Sequence, residues 1–265
     1  RITRDDWQSV HTVAGFGGRI GDSTWTWEAA HLWDRVTLDE ALAGGILAAE
    51  YQRLLDLDSS GAWNPFGYTP IGGSSTVNSR TQVRAIQGGA AFQGEYITHA
   101  GDLRFSGEVA DLPAGPLTAS VGGDLRRETL DDRPDAALQN EWILPFNIQQ
   151  PLAAGRTTYA QFAELGIPIA GGGFNCPGVH EFSVNLAARR EDFDDDGPLG
   201  SHAQIGSSGV RPRVSFRWQP VSRQVTFHGS WAEGFSVPGF SSLYREPGQE
   251  FTELSNPLTG TRSQT

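Results

Sequence analysis

The residues of this chain best suited to binding a metal ion are Asp192, Asp194 and Asp196, which Gly197 follows. Alternate carboxylates before a glycine open a calcium loop of the EF-hand type, in which oxygen ligands converge on one hard cation. The twelfth position of such a loop requires a bidentate glutamate, and here it is Ala203. The flanking segments also have strand patterns rather than helical ones. We therefore expect a solvated acidic loop here and no metal site.

Other spacings begin a catalytic or cofactor motif without completing it. Residues 234–238 resemble the nucleophile elbow of hydrolases, but Pro238 replaces the closing glycine. Gly15, Gly17 and Gly18 could begin a dinucleotide-binding fingerprint, but Ile20 occupies the position where the motif requires its last glycine. Cys176 is the single cysteine, which favours a buried or incidental thiol over a metal ligand, and His228 is isolated on a polar face. Because no acid, base and nucleophile converge, we predict neither an enzyme nor a cofactor.

A row of arginines is the candidate ligand-binding set. Arg211, Arg213 and Arg217 alternate along one predicted strand, so they share its polar face. Three guanidinium groups on an inward face could bind an acidic ligand or the carboxylates of a partner domain. They could instead pair with glutamates of neighbouring strands, and the sequence favours this second interpretation. The glutamates available for such pairing are Glu128, Glu181 and Glu191.

The hairpin between Leu103 and Leu130 shows most clearly which elements position these residues. Two alternating runs meet at the turn Pro113–Pro116, and alternate residues of a strand point to opposite faces. One row is apolar and the other is charged. The apolar row of the second run ends at Leu125, about five alternate residues from the turn, which is close to the height of a tilted membrane-crossing strand.

The same alternation predicts eight strands in four hairpins. Their cores are Gln8–Gly18, Ser23–Val36, Leu103–Val109, Leu117–Leu125, Arg156–Pro168, Val179–Asp194, Val210–Trp218 and Val225–Trp231. Short turns alternate with long connections, and the apolar, aromatic-rich rows lie beside the short turns. We predict a loop at 37–77 with helical composition at 39–56, irregular structure at 78–97, polar connections at 131–155 and 194–208, and no strand after Phe235.

Two architectures can present such rows. A soluble sandwich would cover them with a second sheet, whereas an outer-membrane barrel would turn them towards lipid and place aromatic girdles beside the turns. The polarity of turns and loops favours the barrel. The net charge of −11 over 265 residues argues against nucleic acid as a partner. The mean hydropathy of −0.36 and the lack of a long apolar run exclude membrane-spanning helices only.

The segment Ser230–Tyr244 resembles the strand-end signature of TonB-dependent outer-membrane receptors. In that signature a serine-aromatic stretch leads to Glu-Gly-Phe, a proline three residues on, and a Leu-Tyr or Leu-Phe pair. The matching residues here are Glu233, Gly234, Phe235, Pro238, Leu243 and Tyr244. Segments Asp111–Pro116, Gly122–Glu128 and Pro177–Arg189 resemble other recurrent segments of the same family.

The resemblance implies an all-β fold: an antiparallel, up-and-down transmembrane β-barrel of roughly 22 strands. This chain is then a partial barrel of about eight strands with long extracellular loops. Because the sequence contains no Met, we expect residues 1–265 to be part of a larger receptor, with an N-terminal plug domain and C-terminal strands outside them.

The resemblance also implies a function and partners. The receptor would take up a scarce small-molecule or glycan ligand, such as a ferric siderophore, cobalamin or a glycan fragment, across the outer membrane of a Gram-negative bacterium. Its partners would be membrane lipid, its own plug, and a TonB complex reached through the missing N-terminus. The alternative is a soluble β-rich carbohydrate-binding module.

Overall fold

The structure is a computed structural model that describes residues 2–59, 61–65, 77–144, 146–174, 177–198, 201, 207–245, 254–255 and 262–263. The strands are β1 (Ile2–Arg19), β2 (Thr26–Leu47), β3 (Gln87–Leu112), β4 (Gly115–Pro134), β5 (Ile143–Leu144), β6 (Leu152–Ala170), β7 (Glu181–Asp196), β8 (Ser207–Gln219), β9 (Phe227–Ala232), β10 (Leu254–Ser255) and β11 (Arg262–Ser263). The helices are α1 (Ala48–Leu55), α2 (Arg80–Ile86), α3 (Ala136–Gln139) and α4 (Phe240–Tyr244).

Eight strands form one antiparallel sheet whose order follows the chain: β1, β2, β3, β4, β6, β7, β8, β9. The short strand β5 joins this sheet through β2, and β10 pairs with β11 apart from it. Within the described residues β1 and β9 do not pair with each other, so the sheet is an open wall. This up-and-down arrangement confirms the predicted partial barrel and all eight predicted strands.

Connections at the two ends of the wall differ in length for the first hairpins. At one end, called the turn side, the connections are 20–25, 113–114, 171–180 and 220–226. At the other end, called the loop side, the connections are 48–86, 135–151 and 197–206. The predicted alternation of short turns and long connections holds for the first connections but not for the later ones, because 197–206 is no longer than 171–180. Gly172 has a φ of +59°, a left-handed backbone that glycine adopts without steric cost, which allows the chain to turn after β6.

One face of the wall carries the predicted apolar rows, and nothing in the described part of the chain covers it. We call it the outer face; the inner face is the one on which segments 135–151 and 233–245 pack. Pairing keeps the row continuous across strands, because Leu125 lies opposite Tyr159 and Leu186 lies opposite Val214. Leu125 is 50% exposed and Leu186 40% exposed. Other members of this outer apolar row are Val10, Phe16, Leu103, Val121, Leu165, Phe216, Trp218, Phe227 and Trp231.

The strands are much longer than predicted on the loop side. β3 has 26 residues, about 85 Å at the usual rise per residue, whereas crossing a membrane takes about 9–11 residues. The prediction of irregular structure at 78–97 is therefore wrong, since α2 and β3 occupy these residues. The loop predicted at 37–77 is also wrong in its first part, where β2 continues to Leu47 and only α1 is helical.

The remaining connections also contain regular structure. Strand β4 runs to Pro134 and β6 begins at Leu152, so both extend into the predicted connection 131–155. Strand β7 runs to Asp196, two residues beyond its predicted end. After Phe235 the structure adds α4 and the two-residue strands β10 and β11, which the sequence did not predict.

The apolar pattern changes faces along the strands, which explains these errors. On the loop side Leu42 and Phe92 lie on the inner face, buried against Leu138 and Ile143 of the inward-folded segment 135–151. The outer face carries ion pairs there instead, such as Arg35 Nη2 to Glu95 Oε1 at 2.5 Å. The outer face is thus apolar near the turns and charged near the loops.

Some predictions fall outside the described residues. These are the thiol at Cys176, the loop position Ala203, and Phe66 and Gly67, which end the turn sequence Asn64–Gly67 within the loop predicted at 37–77. Within the described residues, every helix is too short or too polar to cross a membrane.

Adjacent residues of β7 provide a test of the outer face. We expect Leu186→Arg to destabilise the protein folded in lipid vesicles by about 2–4 kcal/mol, because it places a charge on the lipid side. Asn185→Arg is the matched control, since Asn185 is exposed on the inner face of the same strand, and we expect less than about 1 kcal/mol. Urea titration of both variants measures the difference. Equal effects would contradict the assignment of the faces.

Candidate functional site on the inner wall

Residues 233–245, which we call the inner strap, cross the inner face from β8 to β4. The strap begins where the Glu233 N–H donates to the Pro212 carbonyl at 3.1 Å. It ends at Arg245, whose guanidinium pairs with the Asp132 carboxylate of β4. All six residues that carry the family resemblance lie within it. The signature is therefore a segment that packs on the inner face of the wall and is not only the end of a strand.

A buried ion pair anchors the middle of the strap. Arg156 donates from Nε and Nη2 to the two carboxylate oxygens of Asp195, at 2.6 and 2.7 Å. Their side chains are 8% and 0% exposed. The hydrogen bonds to Asp195 raise the pKa of Arg156, so the guanidinium stays protonated. Arg156 Nη2 also donates to the Pro238 carbonyl at 3.1 Å, and its guanidinium lies 5.1 Å from the Phe240 ring centroid.

Aromatic packing holds the far end of the strap. Phe240 is buried with Leu152 and Ala154, and its ring centroid lies 6.3 Å from that of Tyr96. The Tyr96 hydroxyl donates to Glu128 at 2.6 Å, and burial, followed by this contact with the carboxylate, raises its pKa. These residues lie on the loop side of the outer apolar row.

Phe235 of the strap separates two cavities on the inner face. Its ring stacks on Phe193 at 5.7 Å between centroids, and the Arg211 guanidinium lies 5.4 Å from its centroid. The first cavity, of about 470 Å³, lies between the strap and strands β6–β8. The second cavity, of about 560 Å³, lies on the loop side under residues 235–241.

The second cavity is aromatic, and its described charges are paired. Arg126 lies 3.3 Å from Glu128, and Arg156 is held by Asp195. This cavity suits a neutral or apolar group better than an ion.

The structure separates the three arginines of the predicted ligand-binding row. All three lie on the inner face of β8, as the alternation predicts. Arg217 pairs with Glu181, which confirms one pairing of the second interpretation. Arg211 pairs instead with Glu233 of the strap, at 3.4 Å. Arg213 is exposed and forms no ion pair with any described residue.

The other predicted glutamates do not serve the arginine row. Glu191 accepts from Arg189 at 2.8 Å, and Glu128 accepts from Tyr96. Arg189 also donates to Asp124, at 2.8 Å. The pairing expected of Glu128 and Glu191 with the row is therefore wrong, because nearer partners on β7 and β3 take both carboxylates.

The acidic run at 192–196 is a strand rather than the predicted loop. It forms the end of β7, so Asp192 and Asp196 face outward while Asp195 faces the strap. Asp192 pairs with Arg190 at 3.0 Å and Asp196 with Arg127 at 2.9 Å. No group of residues in the described part of the chain could hold a metal ion. Sequence reasoning missed Asp195 because its partner is 39 residues away.

Comparison with known proteins gives a family and nothing finer. A family model described as TonB dependent receptor-like, beta-barrel, matches residues 2–264. Neither a curated protein nor a solved structure matches the chain.

Replacing the strap anchor tests its structural role. We expect Arg156→Gln to destabilise the folded protein by about 3–5 kcal/mol, because it removes the cation from the fully buried Asp195 carboxylate. The amide hydrogens of the strap should then exchange faster. Arg190→Gln is the control, since it removes an exposed pair worth less than about 1 kcal/mol. Hydrogen exchange and urea titration measure both effects, and unchanged protection of residues 233–245 in Arg156→Gln would contradict the anchor.

Proposed function

Because this chain belongs to the TonB-dependent receptor β-barrel family, we propose that it forms part of the wall of a receptor that imports a scarce ligand across a Gram-negative outer membrane. The family is one of outer-membrane transporters and not of enzymes. The ligand would be a ferric siderophore, cobalamin or a glycan fragment. Energy for its passage would come from an inner-membrane TonB complex.

The uncovered outer apolar row is the observation that carries this proposal. A row of exposed leucines, valines and aromatic residues costs free energy in water, whereas lipid accommodates it. The row runs across the wall beside the turn side. Aromatic rings cluster there, with Trp218 and Phe227 at 5.5 Å between centroids, as expected of a girdle at the membrane interface. A soluble carbohydrate-binding module would bury this row, so that alternative has less support.

The open edges support a larger barrel. Strand β1 has 18 residues and one edge without a strand partner in the described residues, and β9 has another such edge. Unpaired backbone groups are not tolerated in the hydrocarbon region, which supports a wall that continues with further strands at these two edges. We propose that these strands close a barrel around an N-terminal plug domain. The charged inner face is suited to contact with such a polar domain.

The inner strap and the first cavity are the proposed ligand-contact region. Arg211 and Arg213 both line this cavity, whereas Arg217 does not. Arg217 is held by Glu181 near the turn side and is a structural residue in this proposal. Phe235 lies between the loop-side second cavity and the first cavity, so a ligand entering from outside would pass Phe235 before it reached the first cavity.

Uptake in cells tests the proposed function. In a strain lacking the receptor gene, we expect the full-length gene to restore growth on one of three supplies: ferric siderophores under iron limitation, cobalamin, or glycan fragments as the carbon source. Restoration should disappear when the TonB protein is deleted, because transport needs its energy. Fractionation should place the receptor in the outer membrane. Growth that is independent of the receptor or of TonB on every supply would contradict the proposal.

A further inference from the structure

The first cavity contains two opposite charges that have no partner in the described structure. Arg213 and Glu164 both line it, and neither forms an ion pair or a side-chain hydrogen bond with a described residue. They lie in one register row, because Glu164 pairs with Ala187 and Ala187 pairs with Arg213. Their backbones are therefore about 10 Å apart, two strand spacings. Ala187 between them contributes only a methyl group, which leaves the space above it open.

The other charged residues around the cavity are already paired, which leaves Arg213 and Glu164 as the groups available to a ligand. Arg189 is satisfied by Asp124 and Glu191, and Arg211 pairs with Glu233. The Nε–H of Arg211 is buried and has no acceptor among the described residues, so the arginine side of the cavity offers one further donor. An anionic group is thus favoured beside Arg213, and a cationic group beside Glu164.

Aromatic walls complete the cavity. Phe235 closes it on the loop side, and Phe162 lies on the inner face of β6 beside Glu164. Gly122 permits this position, since a Cβ at Gly122 would come within 2.7 Å of the Phe162 ring. Two aromatic rings beside separated charges suit a group that has a flat or apolar part and two opposite charges.

We propose that the first cavity binds a zwitterionic group of the amino-acid type. Its carboxylate would lie against Arg213 and the Arg211 Nε–H, its ammonium against Glu164, and its apolar part between Phe162 and Phe235. This inference rests on the proposed function and deepens it, because it gives the imported ligand an amino-acid or peptide component.

Binding of three fluorinated probes to the full receptor in detergent tests this inference. The probes are 4-fluoro-L-phenylalanine, 4-fluorophenethylamine, which lacks the carboxylate, and 3-(4-fluorophenyl)propionate, which lacks the ammonium. By ¹⁹F NMR we expect the amino acid to bind at least about tenfold more tightly than either analogue, since each loses a charge-assisted hydrogen bond. Equal affinities, or no binding of the amino acid, would overturn the proposal.

Two variants test which residue binds the carboxylate of the probe and which binds its ammonium group. Arg213→Gln should weaken amino-acid binding about tenfold and remove its advantage over the amine, and Glu164→Gln should do the same relative to the acid. Arg217→Gln is the matched control and should change none of the affinities. If either variant lowers the melting temperature while probe binding stays unchanged, the pair docks the plug domain and the proposal is wrong. Probe binding needs no energy coupling, so its failure is distinguishable from a failure of uptake.

Discussion

Backbone hydrogen bonding in lipid is the constraint on which this structure depends. Hydrocarbon offers no partner for a free N–H or C=O group, so every such group of a membrane-crossing strand must be satisfied by a neighbouring strand. The described wall meets this requirement with an unbroken antiparallel ladder across the outer apolar row. Its four register shifts, at 43–45, 108–110, 168–170 and 190–192, lie at or beyond the ends of that row. Irregular pairing occurs only where water or protein can satisfy the backbone.

The environment of the strands changes along their length, and the side chains change with it. Near the turns the outer face meets lipid and the inner face carries charges. Near the loops the outer face meets water, and the inner face packs against segments 135–151 and 233–245. These two segments give the distal wall its own small apolar clusters, around Leu138 and Phe240. The same strands thus present an uncovered apolar face near the turns and support the packed inner segments near the loops.

The alternation of side chains predicted the strands and the orientation of the arginine row, because lipid on one side and water on the other impose a period of two residues. The same alternation gave wrong predictions on the loop side, where the two faces of the wall no longer differ in this way. Leu38 and Leu42 of β2 are spaced by four, which fits a helix as well as a strand face, so the sequence indicated helical composition there. The inner strap could not be derived from local pattern, since Arg156 meets Pro238 at a separation of 82 residues and Asp132 meets Arg245 at 113. The same separation hid the pairing of Arg211 with Glu233.

Spin labels measure most directly whether the side chains of the outer apolar row contact lipid. Single cysteines would be introduced into a cysteine-free variant of the full receptor, which includes Cys176→Ser, and labelled in lipid vesicles. The outer positions are Val121, Leu165 and Leu186, and the inner positions are Ser120, Glu164 and Asn185. We expect labels at the outer positions to be accessible to oxygen, which partitions into lipid, and shielded from a water-soluble nickel chelate. Labels at the inner positions should show the lower oxygen accessibility of a lumen. Outer labels that are shielded from both reagents, as in a covered protein core, would contradict the account.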